Sequence, residues 1–266
     1  MKLSTLLIFI FCLNLTAKSQ DLDEKTASII AEGRLLYHSE MASWYGTDVL
    51  QARFKSKAAG AGGYFSYSDG EQNKCVFFDR KEIPAPLITF IFDASYNVNS
   101  VKVDTSQRNF TPTELELFTI RQAALRAIKT DTIFKMYNNT NLNVIPLVSN
   151  EDKKVYVLTA PTINGVVVFG NDYLLNFDRS SQLLNIKRLH KNIIPVNYTG
   201  ELAETTHSHL PETGDFITAT DICTLMLYGK TANWKNHIVV SEKYASIWDC
   251  QKQSLTVITR GHEKNR

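Results

Sequence analysis

Two series of short apolar segments, separated by one amphipathic stretch, constrain the fold of this chain more than any other feature. Before residue 110, the turn sequences Ser68-Asp69-Gly70 and Asp93–Tyr96 separate segments of strand length. After residue 140, turn sequences follow one another at similar spacing, at Asn150–Asp152, Asn164-Gly165 and Asp178–Ser181. Short runs of β-branched and aromatic residues between such turns are typical of antiparallel strands joined as hairpins. The sequence therefore predicts an α+β protein with antiparallel sheets.

The amphipathic stretch between the two series predicts a central helix over about residues 112–136. In Thr111-Pro112-Thr113-Glu114, a proline and an acidic residue would lie in the first turn of a helix, where both residue types are favoured. One apolar face follows at helical spacing, formed by Leu117, Ile120, Ala124, Leu125 and Ile128. This helix would separate an N-terminal α+β region, residues 20–110, from a C-terminal α+β domain, residues 111–266.

Each of these regions has a predicted helix besides the central one. Residues 24–54 have helical spacing, with a possible break at Gly46-Thr47, and the small residues from Lys57 to Gly63 indicate a flexible connector. In the C-terminal region, Thr218–Tyr228 predicts a helix that strands follow at His237–Val240, Tyr244–Trp248 and Leu255–Thr259. The chain should thus end in a helix-strand unit.

The first 19 residues have the pattern of a secretory signal peptide. Lys2 supplies a positive charge, Leu6–Leu15 is mostly apolar, and Ala17-Lys18-Ser19 is a small-x-small cleavage sequence. The apolar run is too short to span a bilayer. We therefore expect cleavage near Ser19, a mature chain without a transmembrane segment, and a secreted or periplasmic protein.

Composition narrows the class of protein further. A hydrophobic content of 44% supports a substantial core, and a net charge of +2 without a concentrated basic patch argues against nucleic-acid binding. Beyond the signal sequence the cysteines are Cys75, Cys223 and Cys250, an odd number that cannot pair completely within one chain. Cys223 and Cys250 could form a disulfide, but three separate thiols, with Cys223 buried, are the preferred interpretation.

The densest group of side chains able to bind a metal is His207-Ser208-His209 followed by Asp221. If this segment is extended, His207 and His209 lie on the same face of a strand and can reach one ion. Asp221 in the first turn of the next helix could add a carboxylate. Two histidines and one carboxylate leave a fourth tetrahedral position for water, as in catalytic zinc sites. His190 and His237 could join the group, but are predicted to be surface or strand-end residues.

His207-Ser208-His209, Thr218-x-x-Asp221, the helix and the strand His237–Val240 together resemble the core of the JAB/MPN metalloproteases, also called the JAMM family. The resemblance covers about residues 150–260. It implies zinc ligands at His207, His209 and Asp221 and an oxyanion-stabilising hydroxyl at Thr218. Thr218 and Asp221 are also the pattern of a helix-capping box, which requires no catalytic function.

The sequence departs from this family where the chemistry needs a general base. The family has seven residues between the second histidine and the Ser-x-x-Asp motif, and eight lie here between His209 and Thr218. Its catalytic glutamate lies upstream, but this chain has no glutamate between Asp152 and Gly200. The predicted function is therefore an exported, non-catalytic binding or envelope-associated module, with a protein or peptide as a possible ligand. The alternative is a zinc-dependent JAMM-like peptidase or isopeptidase.

Overall fold

The structure is a computed structural model that describes residues 4–149, 152–198 and 204–261, with side chains from Leu22 onward. The side chains of the predicted signal peptide, residues 1–19, lie outside the described part. No helix within the described residues is both long and apolar enough to cross a lipid bilayer. The combination of helices with mainly antiparallel sheets confirms the α+β class.

The first helix, α1, runs without interruption from Ser4 to Arg53. The prediction of a break at Gly46-Thr47 is wrong, because Gly46 allows the helix to pack closely against Cys75. A Cβ atom at Gly46 would lie 2.8 Å from Cβ of Cys75. The missing side chain therefore lets the helix lie directly on a strand, and this contact outweighs the low helix propensity of glycine.

An antiparallel meander packs on α1, and it confirms the strands predicted before residue 110. A short helix, α2 (Lys55–Gly60), leads into this first sheet, so the predicted flexible connector at 57–63 is wrong. These residues form the end of α2 and the start of a strand. The strands pair in chain order: β1 (Ala61–Ser68), β2 (Asn73–Asp79), β3 (Pro86–Phe92) and β4 (Lys102–Asp104).

The central helix, α3 (Pro112–Thr130), begins as predicted but ends six residues before position 136. Thr111 and Glu114 form a capping box at its start. At its end the Asp131 side chain accepts a hydrogen bond from the amide of Ile133 at 2.9 Å, which stabilises a turn instead of another helical turn. Phe134 is nevertheless buried, with its ring centroid 4.6 Å from that of Tyr173. The apolar periodicity therefore continues into the core after the helix has ended.

The strands between α3 and residue 198 divide into two sheets. The second sheet has the order β5-β6-β8-β9. Strand β7 lies between β6 and β8 in the sequence, but it pairs with β10, a strand that was not predicted. The bounds are β5 (Thr140–Val148), β6 (Lys153–Pro161), β7 (Val166–Gly170), β8 (Tyr173–Phe177), β9 (Leu183–Arg188) and β10 (Ile193–Asn197).

The C-terminal helix-strand unit is present as predicted and contains one parallel strand pair. Strand β11 lies parallel to β12, and the remaining pairs of this sheet are antiparallel. The connection between the parallel strands contains the helix α4, as a parallel crossover requires. The bounds are β11 (Glu204–Ser208), α4 (Ala219–Tyr228), β12 (Asn236–Val240), β13 (Tyr244–Asp249) and β14 (Ser254–Thr259).

Buried thiols and indoles occupy the interior, and the predicted burial of Cys223 is confirmed. Cys75, Cys223 and Cys250 are buried and not joined by disulfides. Trp234 and Trp248 are fully buried in one cluster with residues of α4, β7 and β12. These side chains contribute to packing between layers.

Helices α1 and α4 touch at Gly33, which fixes the position of the α4 N-terminus. A Cβ at Gly33 would lie 2.7 Å from Cγ2 of Ile222 and 3.0 Å from the carbonyl oxygen of Ala219. Both distances are shorter than a relaxed carbon contact. Only glycine therefore permits this separation of the two helices.

We expect Gly33→Ala to destabilise the protein by about 1 to 2 kcal/mol, because the clash with Ile222 exceeds the gain in helix propensity. Urea unfolding followed by circular dichroism measures the difference. Gly60→Ala is the matched control, since its nearest contact would be an ordinary 3.7 Å from Leu87. An equal effect of both substitutions would exclude the proposed role of Gly33.

Candidate metal centre

Strand β11 directs two histidines into the protein interior. Its side chains alternate between exposed and buried, with Thr205 and His207 on the inner face. His209 follows directly after the strand and continues the alternation, and both residues are 7% exposed. The structure thus brings His207 and His209 to one face, as the alternation of an extended segment predicts.

Asp221 reaches the same place from the N-terminus of α4. Thr218 is the N-cap residue, and its amide and hydroxyl both donate to Oδ2 of Asp221, at 2.9 and 2.7 Å. The predicted capping box is therefore confirmed. It holds the carboxylate so that Oδ1 faces His190 and His207, at 3.7 and 3.6 Å from their Nε2 atoms.

His190 is the fourth member of the group, and of its two predicted positions, surface or strand end, the surface one is wrong. It lies between β9 and β10 and is only 3% exposed. Asp172, just before β8, accepts hydrogen bonds from the backbone amide and Nδ1 of His190, at 3.0 and 2.8 Å. This double contact turns the imidazole inward.

The four side chains present their ligand atoms to one point. Nε2 of His209 lies 2.9 Å from Nε2 of His190, 3.1 Å from Nε2 of His207 and 3.3 Å from Oδ2 of Asp221. All four ligand atoms lie within 4.8 Å of one another. Ligands around a tetrahedral zinc ion at 2.0–2.1 Å are separated by about 3.3–3.4 Å. The observed separations approximate that geometry.

A further layer of hydrogen bonds orients these ligands. Besides its bonds to His190, Asp172 accepts a short hydrogen bond from the hydroxyl of Thr220. On the other side, Nδ1 of His207 contacts Nε2 of His237 at 2.8 Å. His237 in turn contacts the hydroxyl of Thr205 at 2.7 Å. Such outer contacts leave Nε2 of a metal-binding histidine free to coordinate.

His237 is fully buried near the start of β12 and belongs to this outer layer, so its predicted strand-end position is confirmed and the surface alternative is wrong. Nδ1 of His209 is buried without a hydrogen-bond partner among the described residues. The ring of His209 is therefore held by packing alone on that side.

Hydrogen bonds alone cannot satisfy all the close contacts between these nitrogen and oxygen atoms. A ring nitrogen carries either one proton or one lone pair in the ring plane. Nε2 of His209, however, faces two imidazole nitrogens and a carboxylate oxygen at comparable distances. One proton can serve only one of these contacts well, whereas a central cation can serve all of them.

The charges of the cluster also favour a central cation. Asp172 and Asp221 are buried, and their ion-pair partners among the described residues are histidines. Burial lowers the pKa of His207 to about 4, so this imidazole is neutral at neutral pH. Burial also disfavours the charged form of His190, but Asp221 and Asp172 together raise its pKa to about 9.

The Asp221 carboxylate is ionised in this environment. Burial alone would raise its pKa, but the facing histidines hold it well below its usual value. The cluster therefore combines the ionised Asp221 carboxylate with a neutral His207 imidazole and a proton on His190, which a divalent cation can displace.

Comparison with known proteins identifies no relative of this chain from which a role for these residues could be taken. No protein-family model, curated protein or solved structure matches the chain. The chemistry available to the site therefore follows from the geometry of its four ligand atoms.

Asp172→Asn tests the outer layer. We expect a 10- to 100-fold loss of zinc affinity, because Asn keeps the shape but removes the charge that stabilises the His190 proton donor. Competition with a chromogenic chelator measures the affinity. Asp178→Asn, in the turn after β8, is the control and should leave it unchanged. Equal affinities for Asp172→Asn and the unmodified protein would contradict a role of Asp172 in the site.

Proposed function

We propose that His190, His207, His209 and Asp221 bind one Zn²⁺ ion as a structural centre, within a protein that acts as a non-catalytic binding module. The convergence of four buried ligand atoms on one point carries this proposal. The outer hydrogen bonds from Asp172 and His237 support it, since they orient two of the three imidazoles.

The donor set favours zinc over the alkaline-earth ions. Three imidazole nitrogens and one carboxylate oxygen suit a borderline-soft ion with tetrahedral geometry. Calcium and magnesium require more oxygen ligands and larger coordination numbers. Zinc would also neutralise the negative charge of the two buried aspartates.

The arrangement supports a structural centre better than a hydrolytic one. A JAMM-like peptidase would use His207, His209 and Asp221 and keep the fourth position for water, whereas the side chain of His190 lies at that position here. The cavity beside Asp172 and Asp221 has a volume of only about 10 Å³, which is room for at most one water molecule. The hydroxyl of Thr218, the residue matched to the oxyanion position, donates to Asp221.

We also propose that the module acts outside the cytoplasm and binds a protein or peptide. The apolar run after Lys2 supports export to a secreted or periplasmic location. The low net charge of +2 supports a protein or peptide ligand over a nucleic acid.

Metal analysis of protein purified without an affinity tag tests the zinc centre. We expect one equivalent of zinc per chain by inductively coupled plasma mass spectrometry, and none in a His207→Ala/His209→Ala variant. A His38→Ala variant, whose histidine contacts Tyr96 and is not one of the four ligands, should keep its zinc. Zinc-free protein that does not take up zinc during refolding would refute the proposal.

A further inference from the structure

A second set of functional groups lies in a cavity at the opposite end of α4 from the metal cluster. Glu40, Trp44 and Asp48 are spaced four residues apart on α1 and therefore share one face of the helix. They line a cavity of about 230 Å³ whose other walls come from β1, β5 and the end of α4. Its aromatic walls are Tyr64 and Tyr228, and Asn143 lies beside Glu40.

The Glu40 carboxyl group is half-buried and forms no ion pair with a described residue. Its Oε2 accepts a hydrogen bond from the side-chain amide of Asn143, and no described residue donates to Oε1. Burial raises the pKa of Glu40 to about 7, although Asn143 and Arg121 oppose the shift. A carboxylate in such a place is stabilised when a positive charge arrives beside it.

Arg121, the nearest cationic side chain of α3, is engaged elsewhere. Its guanidinium group lies over the ring of Tyr64, 5.2 Å from the centroid, and donates to the carbonyl of Val144 at 3.3 Å. No ion pair joins it to Glu40 within the described residues. Asp48 adds a second carboxylate at the cavity and forms no ion pair with a described residue either.

Trp44 supplies an aromatic surface at the rim. Its side chain is 53% exposed, although it lies beside a cavity with two tyrosines. Carboxylates combined with an accessible indole ring are the chemistry that recognises an ammonium group, through charge and cation–π attraction. A neutral sugar could stack on the same ring but would leave the charge of Glu40 unpaired.

We propose that this cavity binds a small organic cation, with the ammonium group beside Glu40 and its alkyl groups against Trp44. The inference is independent of the zinc centre, since neither Glu40 nor Trp44 contacts the metal cluster. A bound cation would match the two unpaired carboxylates and cover the exposed indole.

Calorimetric titration of the full, zinc-loaded protein with choline tests the proposal. Dimethylbutanol, the uncharged carbon isostere of choline, and glucose serve as neutral probes. We expect choline to bind roughly tenfold more tightly than dimethylbutanol, because only choline pairs with the carboxylates. Stronger binding of glucose, or equal binding of choline and its neutral isostere, would overturn the assignment of a cation.

Two variants locate the binding. Glu40→Gln keeps an oxygen for the Asn143 contact but removes the charge, and Trp44→Ala removes the ring. Each should weaken choline binding by roughly tenfold. Glu71→Gln, in the exposed turn between β1 and β2, is the charge-matched control and should bind as the unmodified protein does. Choline affinity that is unchanged in both Glu40→Gln and Trp44→Ala, with melting temperatures preserved, would place the ligand outside this cavity.

Discussion

Removal of zinc with a strong chelator is expected to lower the melting temperature of the protein by about 10 °C. Without the ion, Asp172 and Asp221 remain buried with histidines as their only ion-pair partners among the described residues, and the nitrogens of those histidines face one another. Loss of one partner of a buried charged group costs about 3–5 kcal/mol. In a protein of this size, 1 kcal/mol corresponds to roughly 2–4 °C. Differential scanning calorimetry before and after chelation, and after zinc is restored, measures the shift.

The decrease in melting temperature supports the zinc centre only if the chelator removes zinc from these four ligands. A His207→Ala/His209→Ala variant should melt below the unmodified protein and show no further decrease with chelator. If the unmodified protein melts at the same temperature with and without zinc, the ion is not part of the folded structure.

Asp221→Asn is expected to lower zinc affinity by more than about 100-fold, which exceeds the effect of an outer-layer substitution. Asparagine retains an oxygen that can accept from the amide of Thr218, so the helix cap is largely kept. It removes the negative charge that faces the Nε2 atoms of His190 and His207. Chelator competition gives the affinity, and urea unfolding of the zinc-free protein gives the stability.

Thr218→Ala separates the helix cap from the metal ligand. It removes the hydroxyl that accepts from the amide of Asp221, and we expect a loss of about 1 kcal/mol in stability with one zinc still bound. The contrary pattern, with zinc lost from Thr218→Ala and kept in Asp221→Asn, would show that Asp221 acts as a cap alone.

The sequence predicted part of the His/Asp cluster because part of it is local. His207 and His209 follow from the alternation of side chains along a strand, and Asp221 follows from a helix-start pattern. His190 lies between strands, and only its contacts with Asp172, distant in sequence, turn it inward. Four of the six histidines fall between residues 190 and 237, which is the one signal in the sequence that could have included it.

The same distinction between local and long-range causes explains the fold. Turn sequences and apolar alternation indicated most strands, and the Thr111–Glu114 pattern indicated the start of α3. The pairing of β7 with β10 and the parallel pairing of β11 with β12 depend on which layers meet in space. Gly46 shows the same effect in a helix, since a contact with Cys75 permits what local propensity disfavours.

The close spacing of the four ligands along the chain has a consequence for the order of folding. All of them lie between residues 190 and 221, so an ion that joins them closes only short loops, at a small cost in chain entropy. The packing of α4 on α1 at Gly33, by contrast, joins segments that are distant in sequence. We therefore expect zinc to organise the β11–α4 segment before α1 docks on it, so that the ion determines the rate of folding as well as the final stability.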